Sequence, residues 1–230
     1  MQDHSFIKKH NRMELVESHK FLSPANWVIC GQSGSGKSTF VHNLLIHSKK
    51  IFVTPPVKIL YCYNIYQPLF DQMETSFPSI TFHKGIPTEE TIDNFGQSVS
   101  SHSCIIIDDL AHAIGQETEL LFCQKSHHMN MSVIFITQNL FHQNKQNRTL
   151  QLNTHYYVVF KNFRDRGQIS CLGRQLHGGK VNRFMQSYDD STEMKYGYLF
   201  VDLNPHSDNR LRLRSNVFCE SDPGQVIYQI

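Results

Sequence analysis

Gly31-Gln32-Ser33-Gly34-Ser35-Gly36-Lys37-Ser38 stands directly behind the apolar run Trp27-Val28-Ile29-Cys30. It fits G-x-x-x-x-G-K-[ST], the pattern of a phosphate-binding loop between a strand and a helix. Small residues let the backbone curl until successive N–H groups point at one anion, and the helix that follows aims its positive dipole end at the same place. Phe40, Val41, Leu44 and Leu45 behind the loop have helical spacing. Lys37 is placed to reach β- and γ-phosphates, and the Ser38 hydroxyl to hold Mg²⁺. The nucleotide-binding residues are therefore Gly31, Gln32, Ser33, Gly34, Ser35, Gly36, Lys37, Ser38 and Thr39.

The chain has 230 residues, 40% of them hydrophobic, which suits one α/β domain with a well-buried core. No signal-peptide core opens the sequence, and apolar runs such as Cys104–Ile107 and Val133–Ile136 are too short to span a bilayer. An intracellular protein without a membrane partner is expected. Cys30, Cys62, Cys104, Cys123, Cys171 and Cys219 form no C-x-x-C pair, so free thiols are expected in place of disulfides or zinc. The adjacent pair His127-His128 points in directions about 100° apart on a helix and does not suggest a metal site.

Net charge is +2 but unevenly spread. Of the 22 Lys and Arg, eight lie between Lys145 and Arg183, where Asp165 is the single acid among the chain's 20. The remaining 14 basic and 19 acidic residues leave the rest of the chain at −5. A basic segment behind a nucleotide-binding core is what an enzyme acting on a polyanion would carry.

Residues 1–25 are polar and basic and read as an arm ending near Ser23-Pro24. Short apolar runs then predict buried strands at Trp27–Cys30, Ile59–Tyr63, Ile80–His83, Cys104–Asp108, Ser132–Thr137 and His155–Phe160. Helices are predicted over Lys37–Ser48, Pro68–Ser76, Thr88–Phe95 and Glu117–Met129, and near Lys180–Ser187. This alternation gives an α/β fold, an open and mainly parallel sheet with helices on both faces. Tyr198–Leu203 and Arg210–Phe218 predict a C-terminal antiparallel hairpin on the sheet edge. Its second strand alternates Leu211, Leu213 and Ser215 with Arg210, Arg212 and Arg214, as a half-exposed strand would. The domain is expected over 26–220, with 221–230 as a tail.

Two further runs complete the candidate site. Cys104-Ile105-Ile106-Ile107-Asp108-Asp109 is a buried strand ending in two carboxylates, a Walker B element. Asp108 is placed to bind the Mg²⁺ held by Ser38, and Asp109 to polarise the attacking water as general base. Val133-Ile134-Phe135-Ile136 ends in Thr137-Gln138-Asn139, where the Gln138 amide can sense the γ-phosphate or the lytic water. Phosphoryl transfer also needs positive charge on the γ-phosphate, often an arginine from a neighbouring subunit. Arg148, Arg164 and Arg166 are the candidates, each equally readable as a DNA contact.

With these elements in place, residues 20–218 resemble the FtsK/HerA superfamily of DNA-pumping ATPases, and within it the viral genome-packaging ATPases of the poxvirus-like and Polinton/adintovirus type. The resemblance rests on the phosphate loop, Ile105–Asp109, Thr137-Gln138-Asn139, Leu152–Asn162, Arg164-Asp165-Arg166 and the closing hairpin. It implies a RecA-like sheet ordered 5-1-4-3-2 and a homo-oligomeric ring with ATP and Mg²⁺ between subunits. It further implies threading of double-stranded DNA into a capsid, with a capsid or portal protein as partner, in the host nucleus or at a viral assembly site. Many cellular members carry Asp-Glu where this chain has Asp108-Asp109. A P-loop nucleotide or nucleoside kinase would share the phosphate loop but lack the strand ending in Gln138 between the loop strand and Walker B. An idle ATP-binding viral relic is the non-enzymatic alternative.

Overall fold

The computed structural model describes residues 20–97, 101–110, 121, 125–140, 150–218 and 225–229. The strands are β1 Asn26–Cys30, β2 Lys58–Tyr63, β3 Ile80–Lys84, β4 Ser103–Asp108, β5 Met131–Thr137, β6 Tyr156–Phe160, β7 Tyr198–Asp202, β8 Leu213–Ser215 and β9 Val226–Tyr228. The helices used below are α1 Lys37–Ile46, α2 Ser48–Ile51, α3 Leu69–Ser76, α4 Glu89–Gln97, α5 Arg166–His177 and α6 Val181–Ser191. All strands join one sheet in the order β3-β2-β4-β5-β1-β6-β7-β8-β9.

The six strands from β3 to β6 are mutually parallel, so their C-terminal ends share one edge. Both faces of β1, β2, β4, β5 and β6 are covered, which is why these strands read as apolar runs, while β3 at the edge is partly exposed. Alternate residues build two cores. Val28, Ile105, Val133 and Tyr157 meet Ile92, Ile169 and Phe184 of α4, α5 and α6 on one face. Trp27, Ile106, Ile134 and Val158 meet Val41, Leu44 and Phe70 of α1 and α3 on the other.

The strand order differs in detail from the expected 5-1-4-3-2. Removing β3 and renumbering the parallel strands restores that series, so the difference is an added edge strand beside β2 together with the antiparallel extension beyond β6. β7 pairs antiparallel with β6, and β8 with β7, which is the expected C-terminal hairpin. β9 then pairs with β8, so residues placed in the tail contribute a strand.

The hairpin's second strand is shorter than expected and is not half-exposed. Asn209–Leu211 is a 3-10 turn and only Leu213–Ser215 is strand. Arg214 is 2% exposed. It donates from Nη2 to Asp202 Oδ2 at 3.1 Å, and its guanidinium carbon lies 5.4 Å and 4.8 Å from the ring centroids of Phe21 and Phe200. Alternation there marks two buried faces, one apolar and one holding an ion pair. Phe21, assigned to the arm, is 3% exposed and bridges to Phe52, so the end of that arm belongs to the core. α5 is a helix that sequence reading did not find. Most of the stretch 111–124, where the Glu117–Met129 helix was expected to begin, lies outside the described residues, with a short helical turn at Ser126–His128. Cys30, Cys62 and Cys104 are buried free thiols and Cys171 is a partly exposed one; Cys123 and Cys219 lie outside the described residues.

Candidate functional site

Chemistry in an open α/β sheet collects outside the C-terminal ends of the parallel strands. Here the loop after β1 lies between β5 and β6, so the ends of β4 and β5 flank it on one side and the end of β6 and the start of β7 on the other. Gly31 continues the ladder by donating its N–H to Thr137 O at 3.2 Å. It must lack a side chain, because a Cβ there would stand 2.6 Å from Phe160 Cβ. Gly36 has φ +104 and opens α1, a conformation that favours glycine.

The loop encloses a cavity of about 720 Å³ lined by Ser33, Gly34, Gly36, Lys37, Ser38 and Thr39. Asp108, Asp109 and Gln138 close it from the ends of β4 and β5. Lys37 Nζ donates to Gly31 O at 2.7 Å and to Gln32 O at 2.9 Å, so the ammonium is held across the loop by its own carbonyls. Burial lowers its pKa, while the nearby Asp108 and Asp109 oppose that shift.

Asp108 is 4% exposed, and burial raises its pKa. Two hydroxyls donate to its Oδ2, Tyr61 at 2.6 Å and Ser38 at 3.4 Å. The Tyr61 phenol is itself pushed well up by burial and by Asp108, so it stays a donor. Tyr61 was not found from sequence; its partner is 47 residues away and a tyrosine in a buried strand carries no local signal.

Asp109 is exposed, with φ 54 in the left-handed region that Asp enters more easily than most residues. Its Oδ1 accepts from Gln138 Nε2 at 3.2 Å. The carboxylate and the amide therefore stand side by side on the cavity lining. Ser38 Oγ and Asp108 offer hard oxygen ligands of the kind Mg²⁺ takes together with substrate phosphates and water. Among the described residues no group of three or more His, Cys, Asp or Glu could hold a metal by itself, so nucleotide oxygens would complete such a shell. The His127 side chain lies outside the described residues.

Arg164 and Arg166 are both exposed and neither lines this cavity. Arg166 makes a two-pronged bond to Asp189, Nη1 to Oδ1 at 2.6 Å and Nη2 to Oδ2 at 2.9 Å, beside a second cavity of about 410 Å³. Arg148 lies outside the described residues. Asn162 ties this segment to the loop: its Oδ1 accepts from Gln32 Nε2 at 3.0 Å, Arg164 N at 3.0 Å and Asp165 N at 3.2 Å. Tyr188 of α6 fixes Asn162 in turn, accepting from its N–H at 2.8 Å and donating to Phe160 O at 3.1 Å. Asp165 caps α5 by accepting from Gln168 N at 3.2 Å.

Comparison with known proteins adds three findings. The sequence model of the poxvirus A32 protein family matches residues 8–171. No curated protein matches the chain. Among solved structures, the cytoplasmic domain of the Thermomonospora curvata type VII secretion ATPase EccC superimposes with a TM-score of 0.51 at 12% identity. That match covers 89% of this chain and 25% of the other, so the chain spans about a quarter of the length of that structure and shares its fold.

Proposed function

The chain belongs to the poxvirus A32 protein family, and from that premise we propose that it is a viral packaging ATPase that drives double-stranded DNA into a capsid by hydrolysing MgATP. One observation carries the reading: Lys37 and Ser38 of the loop meet Asp108, Asp109 and Gln138 at one cavity. ATP is the substrate. Mg²⁺, held by Ser38 and Asp108, would neutralise charge on the phosphate oxygens.

This chain's own groups do the rest. Lys37 leaves the carbonyls of Gly31 and Gln32 for the terminal phosphates, an exchange of neutral acceptors for charged ones that favours the bound state. Gln138 orients the water and Asp109 takes its proton as the oxygen attacks the γ-phosphorus. The ADP–γ-phosphate bond breaks, and the products are ADP and inorganic phosphate.

Neither Arg164 nor Arg166 reaches the cavity of its own subunit, which supports a homo-oligomeric ring in which an arginine acts on the neighbour's nucleotide. Arg166 is committed to Asp189, whereas the Arg164 guanidinium has no partner among the described residues. Arg148 is the alternative finger or a DNA contact. Lys161, Arg174, Lys180 and Arg183 supply the positive charge for the duplex backbone. A capsid or portal protein is the expected docking partner, in the host nucleus or at an assembly site. Among the described residues no helix is long and apolar enough to cross a membrane.

The position of β5 between β1 and β4 favours this reading over a nucleotide kinase. The test is phosphate release by the purified protein with and without linear duplex DNA over a salt series. Stimulation by DNA that fades with salt, as phosphate contacts do, is expected. Turnover indifferent to DNA but dependent on a small phosphoryl acceptor would replace the motor with a kinase, and no turnover at all would leave the relic.

A further inference from the structure

The site fixes which way round a nucleotide lies. The residues that would serve the terminal phosphate, Asp108, Asp109 and Gln138, are on β4 and β5, to one side of β1. The cavity continues across β1 to the opposite side, where Phe160, Tyr196, Tyr198 and Phe218 line it. A triphosphate seated with its terminal phosphate at the carboxylates therefore directs its sugar and base toward these aromatic rings.

One ring differs from the others. Phe160 and Tyr198 are buried, at 2% and 9% exposure, and pack edge to face with Phe40. Tyr196 is 57% exposed and has φ 63. A bulky aromatic in the left-handed region is an outlier, and such strain persists where the surroundings over-determine it. The surroundings here do so. Gly197 donates its N–H to Met194 O at 3.0 Å, closing the turn, and a Cβ at Gly197 would collide with Ser191 O. Tyr196 also lies against the phosphate loop, since a Cβ on Gly36 would stand 3.3 Å from Tyr196 Cδ1. Lys195 Nζ lies over one face of the ring, 4.8 Å from its centroid, which leaves the opposite face to meet a base.

A tight turn thus presents an exposed aromatic face, at a cost in backbone strain, beside the first turn of α1 and at the end of the cavity away from the carboxylates. We propose that Tyr196 is the platform on which the nucleobase of the bound triphosphate stacks. The proposal rests on the ATPase reading and adds to it the residue that distinguishes a nucleotide from bare triphosphate. Every nucleobase offers a π-face, so the platform contributes affinity without selecting a base by hydrogen-bond pattern.

The test is calorimetric titration of the full chain with MgATP and, separately, with magnesium inorganic triphosphate, for wild type, Tyr196→Ala and Tyr196→Phe. Tyr196→Ala should weaken ATP binding by roughly tenfold or more, the range of a lost base–aromatic stack. It should leave triphosphate affinity unchanged, and Tyr196→Phe should bind both as wild type does. Unchanged ATP affinity in Tyr196→Ala overturns the proposal, as does an equal loss for both ligands, or wild type binding ATP no tighter than triphosphate. A wild type that binds neither ligand overturns the nucleotide-binding reading itself and the platform with it.

Discussion

Removing one oxygen from Tyr61 should uncouple metal binding from the rest of the site. The phenol is fully buried and donates to Asp108 Oδ2 at 2.6 Å, while the second donor to that oxygen, Ser38, stands at 3.4 Å. Tyr61→Phe keeps the ring, which packs against Phe70 and Phe82 at centroid distances of 4.9 Å and 5.5 Å, so the core stays filled. What is lost is a hydrogen bond to a charged group, a contribution of about 1.5–3 kcal/mol. With the bond gone, Asp108 Oδ2 has one long contact and the carboxylate is free to rotate away from the position facing Ser38. Loss of a group that orients a metal ligand typically lowers metal affinity by about 10- to 100-fold. The assay is the Mg²⁺ concentration that half-saturates ATP hydrolysis at saturating ATP, with direct Mn²⁺ binding in the presence of ADP as a readout independent of turnover. A half-saturating Mg²⁺ raised about tenfold or more is expected, with ATP affinity in excess Mg²⁺ little changed. An unchanged Mg²⁺ requirement in a folded Tyr61→Phe protein would refute the assignment of Asp108 as a metal ligand held by Tyr61.

Other outcomes separate the remaining roles. Lys37→Ala should abolish ATP binding measured by calorimetry, whereas Asp109→Ala should bind ATP yet lose roughly 10²- to 10⁴-fold in turnover, the contribution of a general base. Asp202→Ala leaves Arg214 charged and unpaired at 2% exposure, so unfolding in urea should require about 3–5 kcal/mol less, and Asp202→Ala with Arg214→Leu should lose less than the two changes separately. His102 is buried: its Nδ1 donates to Thr54 O at 2.7 Å, and its Nε2 accepts from Ser132 Oγ at 2.7 Å. Burial depresses its pKa below the ordinary 6.5, so its contribution to stability is full above that pH and is lost as pH falls through the depressed folded value. Thermal melting followed from pH 7.5 downward should show this loss in wild type and less of it in His102→Gln.

The parallel half of the fold was legible because all its strands but the edge strand β3 are buried on both faces and read as apolar runs, and because the phosphate loop is a contiguous local pattern. Asp108, Asp109 and Gln138 were legible for the same reason, as polar ends of such runs. α5 was not. Its buried positions, Ile169, Leu172 and Gly173, form one narrow stripe in a polar stretch that also holds Arg166 and Arg174, and the basic charge drew the reading toward a surface. Arg214 was misread as exposed because its neutralising partner, Asp202, is on another strand. Tyr61, Asn162 and Tyr196 reach the site through contacts across 47, 130 and 160 positions of sequence respectively, and nothing in their immediate neighbours announces them. The two arginines illustrate the remaining gap: the residue type was recognised, but the Asp189 bond that holds Arg166 is a tertiary fact.

Movement along duplex DNA is the central claim, and displacement of a triplex-forming oligonucleotide from linear duplex DNA measures it directly. Wild type with MgATP should release the third strand, while Asp109→Ala with MgATP and wild type without nucleotide should leave it bound. Release of the third strand by Asp109→Ala at the wild-type rate, or none by a wild type whose ATP hydrolysis is stimulated by the same DNA, would contradict it.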